Sequence, residues 1–273
     1  MSDIHYNCAN YFGRDPEVAM ECLSEDLGAE YEKAPYDALL LLGDYSLDHW
    51  AWQTKGTYLG AGVSNTKAFV EKYLPRLLKK GVEVRMIPGN HEQYGDELWN
   101  AFTGHKRQEH IVLGDILFIL GDAYGADLDP IEHSDGTYVG ADVEKIRALM
   151  AEYPDKKVIL CAHWFDVTRE SEDFRRLLCE EERILCLFCG HNHKSIIMNT
   201  GDGAGNKPIL CTGHYSYSGE VNNILCPPGY RVLEFDESGL ACKYVAHSHA
   251  YQIEGVSFTT EYAEINALYI PFR

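Results

Sequence analysis

Four apolar runs, each stopping in a short loop that bears Asp, Asn or His, constrain this chain more than any other feature. Asp37 to Leu42 (DALLLL) ends at Gly43-Asp44, and Val82 to Ile87 (VEVRMI) ends at Pro88-Gly89-Asn90-His91. Lys157 to Ala162 (KVILCA) ends at His163, and Ile184 to Cys189 (ILCLFC) ends at Gly190-His191-Asn192-His193. Ligands of open α/β sheets bind beyond the carboxyl ends of strands, so loops of this kind can converge on one site. Together with Asp3 and His5 near the N-terminus, five loops then offer metal-ligating side chains. One histidine after a strand is usually structural; five loops that repeat the pattern are not easily obtained by chance.

Between these runs the sequence reads as helix. Asp15 is a suitable N-cap for Pro16 to Glu32, with proline at the first helical position. Thr66 to Lys80 carries an apolar stripe of Phe69, Val70, Tyr73, Leu74, Leu77 and Leu78, and Pro75 predicts a kink in it. Asp142 to Ala151 reads as a third helix, with Val143, Ile146, Leu149 and Met150 facing inward. Ile111-Val112 and Ile116 to Leu120 read as a hairpin turning at Gly114-Asp115, and strands return in PILCT, YRVLEF and LACKYVA. Alternation of this kind predicts an α/β layered fold, in one domain over residues 1–273. No apolar run approaches the length that spans a bilayer, and MSDIHYNC carries no secretion signal, so a soluble, cytoplasmic protein with no membrane partner is expected.

The ligand types narrow the chemistry. Imidazole and carboxylate together suit divalent Mn, Fe, Zn or Ni, whereas thiolates would point to a structural zinc site. Nine cysteines are an odd number in a chain too large to need disulfide staples, and Cys186-x-x-Cys189 lies within a strand-like run, so the thiols read as small buried hydrophobes. A formal charge of -18, from 42 acids against 24 bases, argues against a nucleic-acid partner gripped by a basic face.

DIH at 3–5, GD at 43–44, GNHE at 89–92, His163 and GHNH at 190–193 occur in the order and approximate spacing of the calcineurin-like metallophosphoesterases. The chain resembles that superfamily across Asp3 to His193, with residues 194–273 adding C-terminal strands. The resemblance implies a four-layer α/β/β/α sandwich and two divalent metal ions that act on a small phosphate-ester substrate. It implies that Asp3, His5 and His193 hold one ion, that Asn90, His163 and His191 hold the other, and that Asp44 bridges them. His91 is then the catalytic group, no ligand itself but close to the leaving-group oxygen.

Departures from the family pattern narrow it further. Only Met1 and Ser2 precede Asp3, so the family's first β-strand is absent from the sequence, and a truncated or flexible end carrying Asp3 and His5 is expected. Leu47 stands where several members place an Asp that orients the histidine, leaving Asp48 as the substitute. GDxxDRG of the protein Ser/Thr phosphatases is absent, and Leu47 also excludes the tyrosine ligand of purple acid phosphatases. Trp50, Trp52, Tyr58, Tyr6, Tyr94, Trp164 and Phe165 adjoin the motifs, either as packing or as a platform for a nucleobase or aryl ester, so a nucleotide-like substrate is one candidate. His214, His247 and His249 read as structural or surface residues, and Arg175 and Arg176 as solvated ones. Two function classes follow: a phosphodiesterase or phosphomonoesterase, and a non-catalytic scaffold with an incomplete metal site.

Overall fold

The computed structural model describes residues 1–6, 15–49, 64–126, 136–216, 220–221, 224–246 and 267–272. In chain order its elements are α1 (Pro16–Lys33), β1 (Ala38–Leu42), α2 (Asn65–Ala68), α3 (Leu74–Leu77), β2 (Glu83–Ile87), α4 (Asp96–Thr103), β3 (Glu109–Leu113), β4 (Ile116–Gly121), α5 (Val143–Glu152) and β5 (Lys157–Ala162). There follow α6 (Glu172–Glu180), β6 (Ile184–Cys189), β7 (Ile197–Asn199), β8 (Pro208–Cys211), β9 (Glu220–Val221), β10 (Ile224–Leu225), β11 (Gly229–Phe235), β12 (Gly239–Ala246) and β13 (Leu268–Pro271).

Local chemistry accounts for most boundaries. Asp15 accepts from the Glu17 N–H at 2.9 Å and Pro16 opens α1; Asp142 accepts from the Lys145 N–H at 3.0 Å and starts α5. Pro75 has no N–H to donate, and the kink it demands takes the form of a wide π turn over Phe69–Tyr73, where the Leu74 N–H reaches back to the Phe69 carbonyl. The helical region stops at Leu77, three residues short of the expected Lys80. The hairpin forms as expected, with Leu113 opposite Ile116.

Period-two burial sets the layers. A six-stranded sheet runs β3-β4-β5-β6-β8-β7, while β1-β2 and β11-β12-β13 form separate sheets and β9 pairs with β10. On the six-stranded sheet, Leu117, Ile119, Val158, Leu160 and Leu187 pack beneath α5 and α6 with Phe174 and Leu177. The alternate residues Phe118, Leu120, Ile159 and Phe188 meet Leu42, Ile87 and Leu240 from the smaller sheets. Beyond β1 and β2, Leu39, Leu41 and Met86 pack on Leu23, Phe69, Tyr73 and Trp99 of the other helices. The sequence is thus helix, sheet, sheet, helix in cross-section. Strands buried on both faces must be apolar throughout, which explains the unbroken runs. Cys186 and Cys189 face opposite sides of β6, one in each core, so they cannot share an ion.

No strand is formed over residues 1–5, yet backbone hydrogen bonds tie that end to β1 and the loop after it. Met1 lies along β1, its carbonyl accepting from the Leu42 N–H at 2.8 Å and its ammonium donating to the Leu40 carbonyl at 2.9 Å. Asp3 N–H donates to Gly43 O at 3.1 Å, Ile4 N–H to Asp44 O at 2.8 Å, and Tyr215 N–H to Asp3 O at 3.0 Å. A cavity of about 400 Å³ adjoins Met1, lined by Leu40 of β1, Val232 of β11 and Phe118 and Phe188 of the six-stranded sheet.

Candidate metal centre

Parallel pairing brings the motif loops to common edges. β1 and β2 are in parallel register, Leu42 opposite Ile87, so Asp44 and Asn90 emerge together. β5 and β6 are likewise parallel, and the Gly190 N–H donates to the His163 carbonyl at 2.8 Å, which sets His163 beside the His191 loop. Because the two sheets pack face to face, both edges meet. All seven sequence-predicted ligands and His91 converge there.

The ligand atoms fall into three overlapping groups, each within 4.8 Å: Asp3, His5 and His193; His5, Asp44 and His91; and Asp44, His163 and His191. Asp3 Oδ1 lies 3.3 Å from His193 Nε2. Asp44 Oδ2 lies 3.3 Å from His5 Nε2, 3.1 Å from His163 Nε2 and 3.8 Å from His91 Nε2, a central place among the imidazoles. Asn90 Oδ1 stands 2.9 Å from both His163 Nε2 and His191 Nδ1.

Backbone geometry shows how tightly these side chains are held. Six non-glycine residues among those described have positive φ, and five are Asp3, His5, Asp44, His191 and His193. Each costs of order 1–3 kcal/mol and persists only where the surroundings impose it. The motif glycines permit the crowding: a Cβ on Gly89 would sit 2.1 Å from Asp44 Oδ1, and one on Gly190 would sit 2.2 Å from Ser2 Oγ.

Electrostatics test whether a cation fits. His163 is fully buried and its Nδ1 lies 2.7 Å from the Leu42 carbonyl, so Nδ1 carries the proton. A neutral ring then turns the Nε2 lone pair toward Asp44 Oδ2 and Asn90 Oδ1, and three acceptors meet with no hydrogen between them. Such a meeting is stable only around a positive charge. Without a metal, a second proton supplies it: burial alone pushes His163 down, but the Asp44 charge and hydrogen bond, aided by Asp3, raise it to about 9. Asp44 and Asp3 are held well below the usual carboxylate range, Asp44 by His163 and His91 and Asp3 chiefly by His193, in each case against burial. His191 is lowered to about 4 by burial and by the neighbouring His163. Imidazole, carboxylate and amide oxygen at these separations fit borderline divalent cations.

Three contributors escaped the sequence reading. Glu92, the last residue of GNHE, is fully buried and accepts from the N–H groups of Asp44 at 2.8 Å, Gly89 at 2.9 Å and Ser46 at 3.0 Å, which locks the Asp44 and Asn90 loops together. Burial, then the Asp44 charge, raise it to about 8. His49 Nδ1 lies 3.1 Å from the His91 carbonyl. Tyr124, in the loop after β4, brings its hydroxyl to 3.4 Å from both ring nitrogens of His191. Its place just past a strand's carboxyl end was the available signal.

Other expectations are corrected or located. Asp48 does not orient His91: its Oδ1 accepts from Asn65 N–H at 2.9 Å and Oδ2 from Thr66 N–H at 2.9 Å and from the Tyr94 hydroxyl, so it caps α2. Tyr6 packs on Tyr73, Phe165 stacks on Phe174, and Tyr94 is buried, whereas Trp164 stands 5.3 Å from the His191 ring. His214 is buried behind His193 at 6.1 Å between rings, with Nε2 2.9 Å from the Cys226 carbonyl. Arg175 donates to the Val167 and Glu170 carbonyls and Arg176 pairs with Asp173 on the surface. Trp50, Trp52, Tyr58, His247 and His249 lie outside the described residues.

Among the described residues no helix is long and apolar enough to cross a membrane. Among solved structures, wild-type Vps29 from Entamoeba histolytica complexed with Zn²⁺ is 14% identical, with 100% of this chain and 97% of that one covered and a TM-score of 0.40. Vacuolar Protein Sorting 29 from Cryptosporidium parvum is 12% identical, with 100% and 95% covered and a TM-score of 0.42. No curated protein matches the sequence. Residues 1–195, which hold every converging ligand, match the calcineurin-like phosphoesterase family, and the chain belongs to it.

Proposed function

We propose that this protein is a cytoplasmic, metal-dependent phosphoesterase that hydrolyses a small phosphate ester, diester or monoester, with a nucleotide-like substrate as one candidate. The observation that carries this reading is the place of Asp44, whose Oδ2 stands among His5, His91 and His163 and so belongs to two ligand groups at once. Asp3, His5 and His193 are assigned to one divalent cation, Asn90, His163 and His191 to the other, and Asp44 to both. Mn, Fe, Zn and Ni are the candidates. When bound, two such cations supply Lewis-acid activation of the phosphoryl group and of water near neutral pH.

The chain's own groups do the rest. The Asp44 carboxylate lowers the repulsion between two nearby positive charges. His91, whose N–H donates to Asp44 Oδ1 at 3.1 Å, has its Nε2 at the same centre and is assigned the proton for the departing alkoxide. The acidic surface of the chain disfavours a nucleic-acid substrate.

Metal analysis of the purified protein, coupled to hydrolysis of bis-p-nitrophenyl phosphate and p-nitrophenyl phosphate, tests this. About two ions per chain and turnover of either ester support an enzyme, and the ratio of rates reports diester against monoester preference. Absence of both metal and turnover supports a scaffold instead.

A further inference from the structure

Tyr124 reaches the centre with its hydroxyl held only by two long contacts to His191. The oxygen is 3.4 Å from His191 Nδ1 and 3.4 Å from His191 Nε2, equidistant and longer than a normal O–H···N bond. His191 Nδ1 already faces Asn90 Oδ1 at 2.9 Å. The phenol ring is held by the edge of Tyr138 at 5.6 Å and by the His163 ring at 5.9 Å. Its hydroxyl therefore lies beside the group formed by Asn90, His163 and His191 without being bound tightly to any of them.

The loop that carries it is fixed from several sides. Asp122 Oδ1 accepts from the N–H groups of Tyr124 and Gly125, both at 3.1 Å. Asp122 Oδ2 receives Arg107 Nε at 2.8 Å and Nη2 at 2.7 Å, in an ion pair whose two side chains are each only 6% exposed. Arg107 also donates to the carbonyls of Gly125 at 2.7 Å, Glu92 at 3.3 Å and Tyr94. A buried ion pair carries a desolvation cost that its Coulomb attraction offsets only with good geometry. Here it ties the Tyr124 loop to the chain that follows Asn90 and His91. The hydroxyl is thus fixed relative to Asn90 and His191, as a preorganised donor must be.

We propose that Tyr124 is a substrate-contacting residue, its hydroxyl donating a hydrogen bond to a phosphoryl oxygen of an ester held beside Asn90, His163 and His191. The proposal rests on the phosphoesterase reading of the centre. A tyrosine hydroxyl is protonated at neutral pH and so is a donor toward an anionic oxygen, not a base. The competing role is purely positional, with Tyr124 serving only to hold the His191 ring.

Tyr124→Phe separates the two, since it keeps the ring contacts with Tyr138 and His163 and removes one oxygen. Calorimetry gives the affinity of wild type and variant for Mn²⁺ and then, with Mn²⁺ loaded, for inorganic phosphate; kcat and KM are measured on bis-p-nitrophenyl phosphate. The expected result is Mn²⁺ affinity within about twofold of wild type and phosphate affinity lowered at least about tenfold, the loss of one hydrogen bond to a charged group. Turnover should fall on the order of 10²-fold, as on removal of a preorganised donor to developing negative charge. Unchanged phosphate affinity overturns the proposal, and so does a loss of Mn²⁺ affinity as large as the loss of phosphate affinity. If the wild type binds Mn²⁺ and phosphate but hydrolyses no ester, the phosphoesterase reading fails while the phosphate measurement still decides the role of Tyr124.

Discussion

In the metal-free protein, His163 holds a proton that a cation must displace. Its Nδ1 is committed to the Leu42 carbonyl at 2.7 Å, so the proton that titrates is on Nε2, the atom that faces Asp44 and Asn90. With that imidazole raised to about 9, binding at pH 7 is opposed by about two pH units of proton competition, roughly 100-fold in affinity. The apparent affinity for Mn²⁺ should therefore rise about tenfold per pH unit from pH 7 toward 9 and then level off. The same shift acts on stability. A folded pKa above the unfolded value contributes stability that is complete below about pH 6.5 and is lost as pH rises through 9, on the order of 3 kcal/mol in all. Calorimetric titration of chelator-treated protein with Mn²⁺, in buffers of different ionisation enthalpy, should show about one proton released near pH 7. Thermal melts of the same protein should fall between pH 6.5 and 9, and metal-loaded protein should not share that fall. An affinity flat across this range, with no proton released, would refute the reasoning.

Asp44→Asn should lose both metals together and most activity, because one carboxylate serves two ligand groups; two ions still tightly bound, by mass spectrometry under native conditions, would contradict the bridging role. His91→Ala should retain metal but lower turnover, more for poor leaving groups than for p-nitrophenolate; equal losses across a leaving-group series would remove the general-acid assignment. Gly190→Ala forces a Cβ to within 2.2 Å of Ser2 Oγ, and should weaken the ion assigned to Asp3, His5 and His193 before the other, measured by two-site calorimetric titration. A designed apolar segment joined to Met1 should extend the rungs begun at Leu40 and Leu42 into the adjoining cavity and raise the thermal midpoint; an unchanged midpoint would show that the cavity does not take a strand.

The positions of Asp44, His163 and His191 were legible because each sits one or two residues past a strand whose apolar run is local, and Asn90 and His193 follow within three or four residues of one, whereas Asp3 and His5 follow no strand. DALLLL-GD and ILCLFC-GHNH state this within ten residues or so, and β1 and β6 formed there. Asp15, Asp142 and Pro75 acted through atoms two to four residues away, so their effects could also be read, although the π turn before Pro75 could not. Aromatic residues were less readable: whether Tyr6, Tyr94 and Phe165 face a substrate or a core is settled by neighbours distant in sequence, and they face cores.

What the sequence by itself determined is the strand ends that present Asp44, Asn90, His163, His191 and His193, since hydrophobic period and turn chemistry are local. Only the tertiary structure decided that the edges of two separate sheets meet, which depends on the interdigitation of Leu42 and Ile87 with Phe118 and Phe188 across the sandwich. Only it decided that Met1 would hold Asp3 by pairing on β1, that Asp48 would cap α2 and not serve His91, and that Arg107 and Asp122 would fix Tyr124 beside His191. Each of those contacts spans from about fifteen to nearly seventy residues of chain, and a hydrogen bond that must close so long a loop is specified by packing, not by the residues on either side of it.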